Sequence, residues 1–81
     1  MVGFLVERYW PSVTAADVEA VGRRLTQLST QDATFVASTL MPTDEVVFFE
    51  FMAVDEAAVL DLARLADLRC DRLMFAERNG G

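Results

Sequence analysis

Two carboxylates, Glu7 and Glu50, are the residues of this chain whose type and setting could do chemistry. Each interrupts an otherwise apolar stretch, "VGFLVERY" for Glu7 and "EVVFFEFM" for Glu50. A carboxylate taken out of water must be paired, hydrogen-bonded, protonated or bound to a cation. Two of them on one surface make a candidate site for a divalent metal. With a pKa raised by burial, either one is also a candidate general base. The plain structural reading puts them at the rim of a sheet, in contact with water or with Arg8 or Arg72. Beside Glu7, "ERYW" (residues 7–10) gathers two charges and two large aromatics. Arg8 could take an anion there, with Tyr9 and Trp10 as packing walls; otherwise these residues cap a strand end.

Other chemistries are poorly served. The chain has no histidine, and its seven basic residues are all arginine. Cys70 is the single cysteine, so it has no disulfide partner and no imidazole to activate it, and it reads as a structural thiol. Ser38 and Thr39 lack a histidine or lysine that would make either a nucleophile. No phosphate-binding loop or dinucleotide fingerprint is present. Asp71-Arg72 reads either as a local ion pair opening a strand or as a device that brings Arg72 to Glu7 or Glu50.

Elements must position these groups. Residues 2–9 read as a first strand, ended by Trp10-Pro11-Ser12, since Pro11 has no N–H to donate. Thr14 and Asp17 have the spacing of a capping box, with Val13 and Val18 placed as a hydrophobic staple. Val18, Val21, Gly22, Leu25 and Leu28 then form one apolar helical stripe. Gly22 on that stripe suggests a close approach to the sheet. Residues 33–40 read as a second strand, "MPTD" (41–44) as a turn, and 45–52 as a third strand. Asp55 caps a second helix, with Val54 and Val59 as a second staple. Val59, Leu62, Ala63 and Ala66 give its stripe, and Leu60, Leu65 and Leu68 broaden it. Residues 72–77 are a short fourth strand, and Gly80-Gly81 read as frayed.

The order β-α-β-β-α-β gives an α+β, ferredoxin-like plan: a four-stranded antiparallel sheet with both helices on one face, in one domain of 81 residues. Phe4, Val6, Val47, Phe49 and Phe51 form the helix-facing set. The opposite set, with Leu5, Glu7, Val46, Phe48, Glu50 and Met52, is too apolar to be left to water. A second copy of the chain is the expected cover, sheet against sheet, as a dimeric α+β barrel. Composition agrees, because 53% hydrophobic residues is a high share for so small a domain to hide alone. The net charge of −6, with no basic stripe, argues against nucleic acid as a partner. No signal peptide or membrane span is expected, and the lone thiol suits a reducing, cytoplasmic setting.

The chain resembles a small bacterial nickel-binding protein family, once catalogued as a domain of unknown function. The resemblance rests on "FLVERYWP" (Phe4 to Pro11), "STLMPTDEVVFFEF" (Ser38 to Phe51) and the Asp71-Arg72 pair. It departs at Leu68-Arg69-Cys70, where the family carries an apolar-Pro-Phe step. The resemblance implies a ferredoxin-like fold, a dimer and a nickel site. In this chain a metal site would draw on Glu7 and Glu50, with Leu5, Arg8, Tyr9, Trp10, Val46, Phe48, Met52 and Arg72 as the surrounding pocket or interface. The expected function is therefore a cytoplasmic homodimeric binding protein for nickel or another divalent cation. The alternatives are a plain dimerisation module, or a small dimeric-barrel isomerase or oxygenase with a carboxylate base. Enzymatic activity is the less favoured class, because His and Lys are absent.

Overall fold

The computed structural model describes residues 1–77; Gly80-Gly81 lie outside the described residues. Strands β1 (Val2–Tyr9), β2 (Ala33–Met41), β3 (Val46–Ala53) and β4 (Arg72–Ala76) alternate with helices α1 (Ala15–Leu28) and α2 (Glu56–Leu65) in the order βαββαβ. The strands form one antiparallel sheet of order β2-β3-β1-β4, so β1 and β3 are the central pair. This is the ferredoxin-like α+β fold that the pattern of elements predicts. The observed strand ends differ from the expected ones by a single residue.

Burial follows strand parity. Phe4, Val6, Val47, Phe49, Phe51 and Ala53 are buried, together with Val18, Val21 and Leu25 of α1 and Val59, Leu62 and Ala63 of α2. Their alternate neighbours on β1 and β3 are at most half-buried. Both helices therefore lie on one face. Phe35, half-buried on β2, adds aromatic contacts to Phe49 and Phe51 at ring-centroid distances of 6.4 and 5.8 Å.

The capping box on α1 is complete: Thr14 Oγ1 accepts from Asp17 N–H, and Asp17 Oδ2 accepts from Thr14 N–H. Asp55 Oδ1 accepts from Ala58 N–H at the start of α2. Val13 packs on the core beside α1, as a staple residue should. Val54 does not repeat that arrangement and stays 54% exposed. Leu60 and Leu65 likewise face out, at 43% and 71% exposure, so the α2 stripe is narrower than the sequence suggests. A ten-residue helix presents only about three turns to the sheet, and Val59, Leu62 and Ala63 already fill that contact.

Two connections shape the ends of the sheet. In the 42–45 turn Glu45 N–H donates to the Pro42 carbonyl, and Glu45 takes a left-handed conformation with φ 55°. The Glu45 carbonyl accepts from Trp10 N–H at 2.7 Å, which prolongs the β1–β3 ladder up to Pro11. On β2 a bulge lies between Phe35 and Ala37. Val36 is the extra residue; it re-phases the strand, so that Ala37 stands opposite Glu50 and Thr39 opposite Phe48.

Candidate functional site on the open sheet face

The face away from the helices is assembled by register. Leu5 is opposite Glu50 on β3 and Met74 on β4; Glu7 is opposite Phe48 and Arg72; Gly3 is opposite Met52 and Ala76; Tyr9 is opposite Val46. Leu5, Glu7, Val46, Phe48, Glu50, Met52 and Arg72, all expected here, are thus brought together on one surface. Glu7 and Glu50 are diagonal neighbours across the central strand pair, at a spacing of about 7–8 Å typical of such positions. Glu50 is the fifth of eight residues in β3, half-buried and far from the strand end that the rim reading requires. It borders a recess of about 500 Å³ with Gly3, Leu5, Met52 and Phe75.

Arg8 and Trp10 do not join this surface. By parity they accompany Val6 to the helix side, while Tyr9 goes to the open face. The Arg8 guanidinium carbon lies 3.6 Å from the centre of the Trp10 ring, and Trp10 is packed against the core. The "ERYW" stretch is therefore not one pocket wall. It feeds both sides of the sheet in turn.

Asp71 pairs with Arg69 rather than with Arg72, through Nε–Oδ1 at 2.8 Å. Its other oxygen accepts from Tyr9 N–H, and its own N–H donates to the Glu7 carbonyl. Asp71 thereby fastens the start of β4 to the end of β1, and Arg72 enters the open face across from Glu7. The Tyr9 hydrogen bond, then the hydrogen bond and charge of Arg69, hold the Asp71 carboxyl below the usual carboxylate range against some desolvation. Burial pushes the Cys70 thiol above its ordinary pKa, with Asp71 adding to the effect against a hydrogen bond from the Arg72 backbone. Cys70 is thus a neutral thiol beside the core, as a structural cysteine should be.

Met74 and Ala76 of β4, and Thr34, Ala37 and Met41 of β2, join the open face without having been singled out from sequence, and Thr39, considered there only as a nucleophile, joins it opposite Phe48. The two-residue period of β4 would have located Met74 and Ala76 once Arg72 was placed. For β2 the bulge at Val36 breaks that period, and only the register reveals the side.

The donor set can be tested against a metal. Nickel favours nitrogen and thiolate donors. The chain has no imidazole, and Cys70 stands on the helix side, against the cleft that holds Arg8. Among the described residues no three His, Cys, Asp or Glu side chains converge in a metal-holding group. Among the described residues the open face offers two hard oxygen donors, Glu7 and Glu50, and no nitrogen or thiolate donor of the kind nickel favours, with Arg72 opposite Glu7.

No protein-family profile matches the chain, and no curated protein sequence does. A crystal structure of SCO4226 from Streptomyces coelicolor A3(2) superposes with a TM-score of 0.84 at 11% identity, covering 96% of this chain and 99% of that one. At that identity the likeness shows a shared fold. Among the described residues no helix is long and apolar enough to cross a membrane.

Proposed function

We propose that this chain is a small homodimeric binding protein that pairs its open sheet faces and holds a cationic ligand between them. One observation carries the reading: an apolar sheet face, centred on Leu5, Phe48 and Met52 and bearing Glu7 and Glu50, is left uncovered by the helices and strands of the described residues. Four strands at about 4.8 Å spacing and eight residues at about 3.3 Å rise span a face of about 500 Å². Two such faces remove about 1,000 Å² from water, the size at which specific interfaces begin. The second copy brings a second Glu7–Glu50 pair, so four carboxylates meet across the interface. An oxygen donor set of that kind suits a hard divalent cation such as magnesium better than nickel.

A dimerisation module with no small ligand is the second reading. It is favoured by Arg72, which the register sets opposite Glu7 and which compensates that carboxylate without any cation. Sedimentation equilibrium and calorimetry of chelator-treated protein separate the two. A dimer that takes up magnesium, nickel or zinc stoichiometrically, and loses the heat in Glu50→Ala, supports the binding protein. A dimer silent to every metal leaves the module. A folded monomer at micromolar concentration overturns both.

A further inference from the structure

The other side of the sheet holds a second unusual group. A cleft of about 480 Å³ opens between α2 and the segment leading into β4, lined by Arg8, Arg64 and Arg69 with Asp67, Leu68 and Cys70 among its walls. Three of the chain's seven arginines thus border one cleft. Two of them have carboxylates: Arg64 is held by Asp61, and Arg69 by Asp71. Arg8 has none bonded to it among the described residues, and its Nε is shut off from water without an acceptor. A buried donor left unmade is costly, more so on a charged group. The charged groups facing Arg8 are Arg69 and Arg24 on one side of the balance and Asp71 and Asp67 on the other. Both oxygens of Asp71 are engaged, by Tyr9 N–H and by Arg69, and Arg24 Nε is turned to the Ala66 carbonyl.

We propose that Arg8 anchors a binding site for a small oxyanion, a carboxylate or phosphate group, in the cleft beside α2. Stacking on Trp10 fixes the plane of the guanidinium; its Nε is enclosed, so its two terminal nitrogens are the donors pre-arranged for bidentate capture of such a group. Arg69 and Arg64 flank the entry, and Leu60 and Leu68 offer apolar wall to the rest of the ligand. This site lies on the helix side of the sheet and stands independently of what the open face binds.

Trp10 is the only tryptophan, so its fluorescence reports on the stack directly. The full chain is titrated with sodium phosphate and with sodium acetate at constant ionic strength, with chloride as the reference, and affinities are repeated by calorimetry. A saturable change with phosphate or acetate but not chloride is expected, and which anion saturates assigns the group. Arg8→Gln should weaken binding about tenfold or more, and Arg69→Gln severalfold, since each removes a charged hydrogen-bond donor. Circular dichroism checks both folds, and Arg69→Gln decides the matter if Arg8→Gln does not fold. Saturation by neither anion, or an affinity unchanged in Arg69→Gln, overturns the proposal.

Discussion

Replacing Phe48 by glutamate tests the covered face most directly. Phe48 is half-buried at the centre of the open face, between Glu7 on β1 and Thr39 on β2, and it is not among the residues of the helix-side core. Within one chain the change costs about 1 kcal/mol, from lower strand propensity and a like charge opposite Glu7. Between two chains it costs more. Full burial of a phenylalanine contributes about 1.5–3 kcal/mol; Phe48 is already half-buried in one chain, so the interface adds roughly half of that in each copy, about 1.5–3 kcal/mol together. At about 1.4 kcal/mol per decade, the dissociation constant should rise by about 10 to 10², before counting two added carboxylates taken from water. Sedimentation equilibrium across the micromolar range should therefore show wild-type dimer and Phe48→Glu monomer, both with native circular dichroism. Equal masses for the two proteins would refute the reasoning, whichever mass they share.

Three further outcomes follow from the packing and the charges. Gly3→Ala should destabilise by about 1–3 kcal/mol in urea at fixed protein concentration, because a Cβ there would stand 2.6 Å from the Ala76 carbonyl oxygen and force β1 and β4 apart. Gly22→Ala should stabilise by up to about 1 kcal/mol, since the helix gains propensity and the new Cβ meets the Phe35 ring at 3.4 Å, a contact that a half-buried edge-strand side chain can relax; a lower urea midpoint would mean that Phe35 is fixed. The depressed Asp71 carboxyl is protonated earlier in the unfolded chain than in the folded one as pH falls. Its contribution is complete above the ordinary Asp value and is lost below about pH 4, so Asp71→Asn should flatten that part of the stability–pH curve and leave the neutral region with the same slope.

How much of this was legible in the sequence depends on where a period-two pattern survives. On β1 and β3 it is clean, and the separation of Val47, Phe49 and Phe51 from Val46, Phe48, Glu50 and Met52 matches the observed burial residue by residue. The capping box at Thr14 and the approach of Gly22 to the sheet were legible for the same reason: local geometry dictates them. On β2 the pattern fails, because the bulge at Val36 resets the phase and no residue type announces it. Leucine spacing cannot say how much of a short helix finds a partner: of the three leucines that broaden the α2 stripe in sequence, Leu68 is buried while Leu60 and Leu65 face out. Adjacency leaves Asp71-Arg72 open between a local ion pair and a device that brings Arg72 to Glu7 or Glu50, but consecutive residues at a strand start point to opposite sides, and Asp71 pairs elsewhere. Arg69, two positions back, is the one that can reach it.

The same parity argument separates the two sites. In "ERYW" the residues alternate, so Glu7 and Tyr9 belong to the open face while Arg8 and Trp10 belong to the helix side. Grouping them by closeness in sequence merges two environments that the sheet keeps apart. The consequence is measurable, because perturbations on opposite faces more than a side chain apart should add. Phe48→Glu should break the dimer and leave the Trp10 emission and its response to anions as in the wild type. Arg8→Gln should weaken that response about tenfold or more and leave the sedimenting mass unchanged. If either variant moves the other's readout, the sheet transmits strain between its faces, and the open face and the Arg8 cleft are parts of one site rather than two.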